Sequence, residues 1–132
     1  MGVIRNADIT IYNYHYDSAT KEDKWFRTQI RRVEWYGGQK VSVSDSGFVS
    51  ADSYTVRIPL DQTGGFLLPE DYKGEHGTWT AKEGDIVVRG LLDADITKAS
   101  ELNEISQRFV MIGWSDNRRG SPRVQHIRIE GK

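Results

Sequence analysis

Ser53-Tyr54-Thr55-Val56-Arg57-Ile58-Pro59 carries the clearest alternation in the chain. Tyr54, Val56 and Ile58 fall on one side of an extended backbone, and Ser53, Thr55 and Arg57 fall on the other. That is the period of two that a half-buried strand requires. Pro59 has no N–H to give to a ladder, so the strand that starts near Phe48 should end there. Upstream, Ile9–Tyr14 is rich in β-formers and reads as a first strand. Trp25–Tyr36 is the longest strand candidate. Phe26, Thr28 and Ile30 share one parity and Val33 and Trp35 the other, which predicts a bulge or bend near Ile30–Arg32. Gly37-Gly38 is expected to end that strand, Val41-Ser42-Val43 to form a short one, and Asp45-Ser46-Gly47 to turn.

Downstream, Thr63-Gly64-Gly65 opens a loop that holds the apolar patch Phe66–Pro69, and Thr78-Trp79-Thr80 reads as a short strand. Glu83-Gly84-Asp85 is a tight turn that launches Ile86–Gly90. Ile96–Ser106 is the helix candidate, capped by Thr97 or Ser100, with Ala99, Leu102, Ile105 and Phe109 approximating a helical stripe. Phe109–Trp114 and Val124–Ile129 form a hairpin across Asp116–Pro122. The expectation is a mainly β chain, a small barrel or sandwich of about eight short strands with one short helix. Residues 1–132 should form a single domain with long exposed loops at 17–23, 64–77 and 116–122.

The 132 residues are 37% apolar and 28% charged, with four Trp and four Phe. Trp25, Trp35, Trp79, Trp114, Phe26, Phe48, Phe66 and Phe109 are the expected core suppliers. The absence of cysteine excludes disulfides and thiolate-bound metals. No stretch has the apolar length of a signal peptide or a membrane span, so synthesis in a cytoplasm and no membrane partner are expected. Net charge is −1, but its distribution is uneven. Residues 24–40 carry five basic and one acidic side chain, residues 41–106 five and twelve, and residues 107–132 six and two. A subunit that stacks head-to-tail on charged neighbours would use such polarity.

Catalytic patterns are missing from the sequence. His15, His76 and His126 each stand alone, with no metal-ligand spacing. No G-x-S-x-G elbow occurs, and neither Gly37-Gly38 nor Gly64-Gly65 continues as a phosphate loop. Asp93 with Asp95, and Glu101 with Glu104, read as solvated faces. No cofactor is expected and the chain is read as a non-enzyme; the catalytic alternative is His126 converging on Asp116 and Ser121. Basic residues interleave with aromatics at Arg31 and Arg32 near Trp35-Tyr36, and at Arg118 and Arg119 near Trp114. These four arginines are the candidate partner or DNA contacts. Exposed rings beside them would suit a binding module for single-stranded nucleic acid or carbohydrate.

Five stretches together resemble small proteins encoded in the head–tail morphogenesis module of tailed phages and prophages of Gram-positive bacteria. They are Asn6–Asn13, Val33-Glu34-Trp35-Tyr36-Gly37, Ser50–Pro59, Gly84–Gly90 and Asp116–Pro122 with Gln125-His126. The resemblance spans nearly the whole chain and contains no catalytic signature. It implies a head-closure (stopper) or connector-like virion protein: a small β-barrel that forms a homo-oligomeric ring against portal or tail proteins. A minor capsid, decoration or tail-completion protein is the alternative that it also allows.

Overall fold

Tyr54, Val56 and Ile58 point towards the inside of a barrel. A computed structural model describes residues 5–44, 47–75, 77–105, 107–119 and 125–132, with side chains outside 38–52. Among these residues six strands follow one another: β1 (Ala7–Asp17), β2 (Glu22–Ser44), β3 (Gly47–Pro59), β4 (Ile86–Arg89), β5 (Arg108–Asn117) and β6 (His126–Gly131). All pairings are antiparallel. The order β1-β2-β3-β6-β5-β4 closes because β4 pairs back onto β1. Closure removes the free edges that an open sheet would leave.

The inward positions follow the alternation. Trp35 stands opposite Val56, Val56 opposite Ile129, Ile58 opposite Ile127, Ile11 opposite Val87, and Val87 opposite Phe109. All of them are buried, and they form one cluster with Ile9, Val33, Trp79 and Met111. Full burial of each such aliphatic side chain contributes about 1.5–3 kcal/mol.

Six strands replace the expected eight because two predicted strands are one and a third, Thr78-Trp79-Thr80, is no strand. β2 runs 23 residues, straight through Gly37-Gly38. Gly37 has φ +127°, and a β-carbon there would collide with the Ser53 carbonyl oxygen. Glycine therefore lets the ladder continue where two backbones approach closely, instead of ending it. The predicted turn residues Asp45 and Ser46 lie outside the described residues. Thr78-Trp79-Thr80 contributes only an isolated parallel bridge, from Trp79 to Phe66.

The predicted helix over 96–106 is also corrected. It shrinks to a 3-10 turn at Ala99–Leu102, and Ser106 lies outside the described residues. The Glu101 carboxylate turns back to accept the Thr97 N–H at 2.6 Å and the Lys98 N–H at 2.9 Å. Such local side-chain bonds compete with a helical ladder. Phe109, counted in the helical stripe, belongs to β5. Ile96 and Leu102 instead pack on Tyr12, Ile86 and Val88, the outer face of β1 and β4. Those two strands are covered on both sides, which is why Ile86-Val87-Val88 is continuously apolar.

Two strands change partners midway. β2 pairs with β1 as far as Val33 and with β3 from Glu34; β5 pairs with β4 as far as Val110 and with β6 from Met111. Each change carries a register shift, between Ala7 and Ile9 opposite β2 and between Met111 and Gly113 on β5. Bulged strands that pass from one sheet to the other make the corners of an orthogonal barrel. The bend expected near Ile30–Arg32 is the first of these corners.

The first predicted loop, 17–23, is shorter than expected. Asp17 pairs with Glu22 and Tyr16 with Asp23, so only Ser18–Lys21 lies outside the ladder at the first. Asp116 and Asn117 belong to β5, and residues 120–122 lie outside the described residues. The 64–77 segment does run as turns and irregular chain, apart from residue 76, which is not described.

Beyond the barrel, β2 and β3 continue together. β1 leaves β2 at Val33, and the Asn6 side chain brackets Trp35 by bonding its carbonyl oxygen at 2.9 Å and its N–H at 2.8 Å. β6 leaves β3 at Tyr54. From Gly38↔Ser53 to Ser44↔Gly47 the two strands pair only with each other among the described residues. Seven residues of strand, Gly38–Ser44, make an arm about 23 Å long.

Candidate functional site

The β2 corner sets the geometry of the first pair of arginines. Ala7 stands opposite Val33 and Ile9 opposite Ile30, so β2 carries one residue more than β1 between those pairs. The extra residue breaks the alternation, and Arg31 and Arg32 are both exposed where a regular strand would turn one inward. Arg32 has φ +57°. A side-chain-bearing residue in that left-handed region costs about 1 kcal/mol. The Asp8 carboxylate stabilises the bend by accepting the Arg32 N–H at 3.0 Å.

Charge pairing sets these two apart from most of the other arginines. Arg5 grips Asp61 with both nitrogens, at 2.8 and 2.6 Å. Arg27 bonds Asp95 at 3.0 Å and the Leu92 carbonyl at 2.8 Å, so the basic and acidic stretches of the chain partly neutralise each other across the fold. Arg57 pairs with Glu34 at 2.9 Å, and Arg128 pairs with Glu130. Among the described residues no carboxylate forms an ion pair with Arg31 or Arg32. Arg31 borders an open groove of about 380 Å³ together with Thr28, Asp61, Gln62, Gly64 and Trp79. The Asp61 carboxylate in it is already taken: the hydrogen bond from Arg5 holds its titration below the ordinary range.

The second pair is placed differently. Arg118 forks onto Asp116, Nε to Oδ1 at 2.8 Å and Nη2 to Oδ2 at 2.8 Å, and lies 5.2 Å over the Phe66 ring. Phe66 meets Trp79 at 4.9 Å and Trp114 at 5.5 Å, both edge-on. Arg118 is thus a fixed side chain, and it is the fork that pulls the Asp116 carboxyl down. Arg119 is exposed. One aromatic seam joins the two basic positions, because Trp79 lines the groove beside Arg31 and Phe66 carries Arg118. Trp35 and Trp79 are buried and offer no face for a base or sugar, while Trp25 and Trp114 are half-buried.

Among the described residues, Asp116 and His126 of the catalytic alternative each meet a different side chain. The β5–β6 register sets Asn117 opposite His126, with the Asn117 amide 3.2 Å from His126 Nε2, while the Asp116 carboxylate is engaged by Arg118. Ser121 and His76 lie outside the described residues. His15 packs edge-on against Phe26 and Tyr72. Among the described residues no three His, Asp or Glu side chains gather as a metal site.

Sequence reasoning missed the role of Asp85, which it placed in a tight turn. Its side chain is 1% exposed. It accepts from Lys82 Nζ at 2.6 Å, Asn13 Nδ2 at 2.7 Å and the Tyr14 N–H at 2.9 Å. Asn13 also bonds the Thr80 carbonyl at 2.7 Å, so the cluster pins the 79–85 segment to β1. Burial pushes the Asp85 carboxyl upward against the pull of Lys82 and the Tyr14 N–H. The available signal was an aspartate directly abutting a continuous apolar run.

No curated protein and no solved structure matches the chain. One family model, described as a family of unknown function, DUF6751, matches residues 4–132 and so takes in the barrel, the arm and both pairs of arginines. The chain belongs to that family.

Proposed function

We propose that this protein is a structural subunit of the phage head–tail interface, a head-closure or neck ring subunit located in the virion. It works through protein–protein contacts with its own copies and with portal or tail proteins. The observation that carries the reading is the two-stranded arm. The barrel extends β2 and β3 past both neighbours and leaves N–H and C=O rows along Gly37–Ser44 and Gly47–Ser53 with no third strand among the described residues. Such edges are taken by an added strand from another chain. The sequence resemblance to head–tail proteins supports the same assignment.

Two measurements test it. Mass spectrometry of purified particles should detect the protein in the virion. Replacing residues 39–52 by Asn-Gly, which suits a two-residue hairpin between the paired Gly38 and Ser53, should leave the barrel's circular dichroism intact while tails fail to join heads. Particles that lack the protein, or full titres from the armless variant, would overturn the proposal.

A further inference from the structure

We propose that the β2 corner binds the phosphates of a DNA backbone, with Arg31 and Arg32 as its two cations. The inference deepens the head–tail reading and rests on it for the source of the DNA, the packaged genome. Its physical basis is local. Guanidinium groups present a planar fork of donors that matches phosphate oxygens, and a fork already engaged by a carboxylate has less to offer. Arg5, Arg27, Arg57, Arg118 and Arg128 are engaged in that way. Arg31 and Arg32 are not, among the described residues, and both are exposed.

The carboxylates around the corner do not compete. Asp8 is committed to the Arg32 N–H, Asp61 to Arg5 and Glu34 to Arg57. The bulge projects two consecutive side chains to one side of the strand, so the cations can meet neighbouring phosphates, as one residue per face could not. Thr28 and Gln62 in the adjoining groove supply neutral donors for phosphate or sugar oxygens. The ring in the groove, Trp79, is buried, so contact is to the backbone and carries no base specificity. An acidic face of a neighbouring protein is the competing occupant. A phosphate chain fits better, because the site offers paired forks beside neutral donors, and its two apolar lining residues, Ile30 and Trp79, are buried.

The test uses the full-length chain and a fluorescein-labelled random-sequence 20-mer duplex, read by anisotropy at several salt concentrations. Each phosphate contact contributes about −0.9 to the slope of log affinity against log salt. Arg31→Gln with Arg32→Gln should weaken binding about tenfold or more and make the slope shallower by about 2. Arg128→Gln, which removes an arginine already paired with Glu130, should change neither by as much as twofold. Arg32→Gly relaxes the backbone and so guards against a folding artefact; it should lose about half of the slope change. Absence of DNA binding by the native chain, or equal binding by the double variant, overturns the inference. Loss of particle assembly in the double variant with DNA binding unchanged also overturns it, in favour of an acidic protein partner. A chain found in particles that does not bind DNA defeats this inference alone, whereas a chain absent from particles defeats the head–tail reading whatever the DNA result.

Discussion

The two corners of the barrel lie opposite each other in the ring, on β2 and β5, and perform the same mechanical task with different residues. On β2 the chain bends through Arg31 and Arg32, one of them in left-handed backbone, and displays two cations. On β5 it bends between Met111 and Gly113 and displays Val110 and Ile112, which are 40% and 53% exposed. A closed six-strand sheet needs bulged corners, but it does not dictate what they show to solvent. The β5 corner turns at a glycine. The β2 corner turns at an arginine that needs Asp8 to steady it. A strained backbone retained where glycine would be easier points to the side chain as the reason.

The comparison can be broken most severely at β5. A β-carbon on Gly131 would run into the Val110 carbonyl oxygen and the Phe109 ring. Gly131→Ala should therefore cost about 3 kcal/mol or more, read from the urea midpoint. At β2, Asp8→Ala removes the acceptor of the Arg32 N–H and should cost about 1–2 kcal/mol. Arg32→Gly should do the reverse, raising stability by about 0.5–1 kcal/mol because glycine adopts positive φ freely. A loss of stability in that variant would mean that the left-handed arginine is not strained. Ile112→Thr, at the matching exposed position of β5, should stay within about 0.5 kcal/mol of the native chain.

Acid sharpens the comparison through a third bend, the β1–β2 turn, which is held by a salt bridge. Lys24, with the Ala19 and Thr20 N–H groups, draws the Asp17 carboxyl from 3.8 down to about 2. The folded state therefore favours the charged form. Its contribution is complete above the ordinary carboxylate value and is lost as the pH falls towards 2. The difference in melting temperature between the native chain and Asp17→Asn should narrow from about pH 5 to about pH 2.5, while that of Arg32→Gly stays constant.

The alternation of Tyr54, Val56 and Ile58, the stop at Pro59 and the parity change before Val33 were all legible, because each depends on neighbours one or two residues away. The arginines at 31, 32, 118 and 119 were legible as charges. Their different fates were not: Arg118 is bound to Asp116 and laid over Phe66, 52 residues distant, while Arg31 and Arg32 stand at the barrel's corner with no carboxylate partner among the described residues. The Glu101 back-bond that accompanies the 3-10 turn was also hidden, since a short apolar stripe looks alike in a helix and in a strand that begins two residues later.

Sequence alone determined that the chain would be mostly strand and where the first corner would fall, since side-chain parity and proline's missing N–H act locally. Closure of the ring, the passage of β2 through Gly37-Gly38, the burial of Asp85 and the exposure of both Arg31 and Arg32 were decided only in three dimensions. Each depends on which distant backbone or charge comes to lie alongside, and no spacing along the chain encodes that.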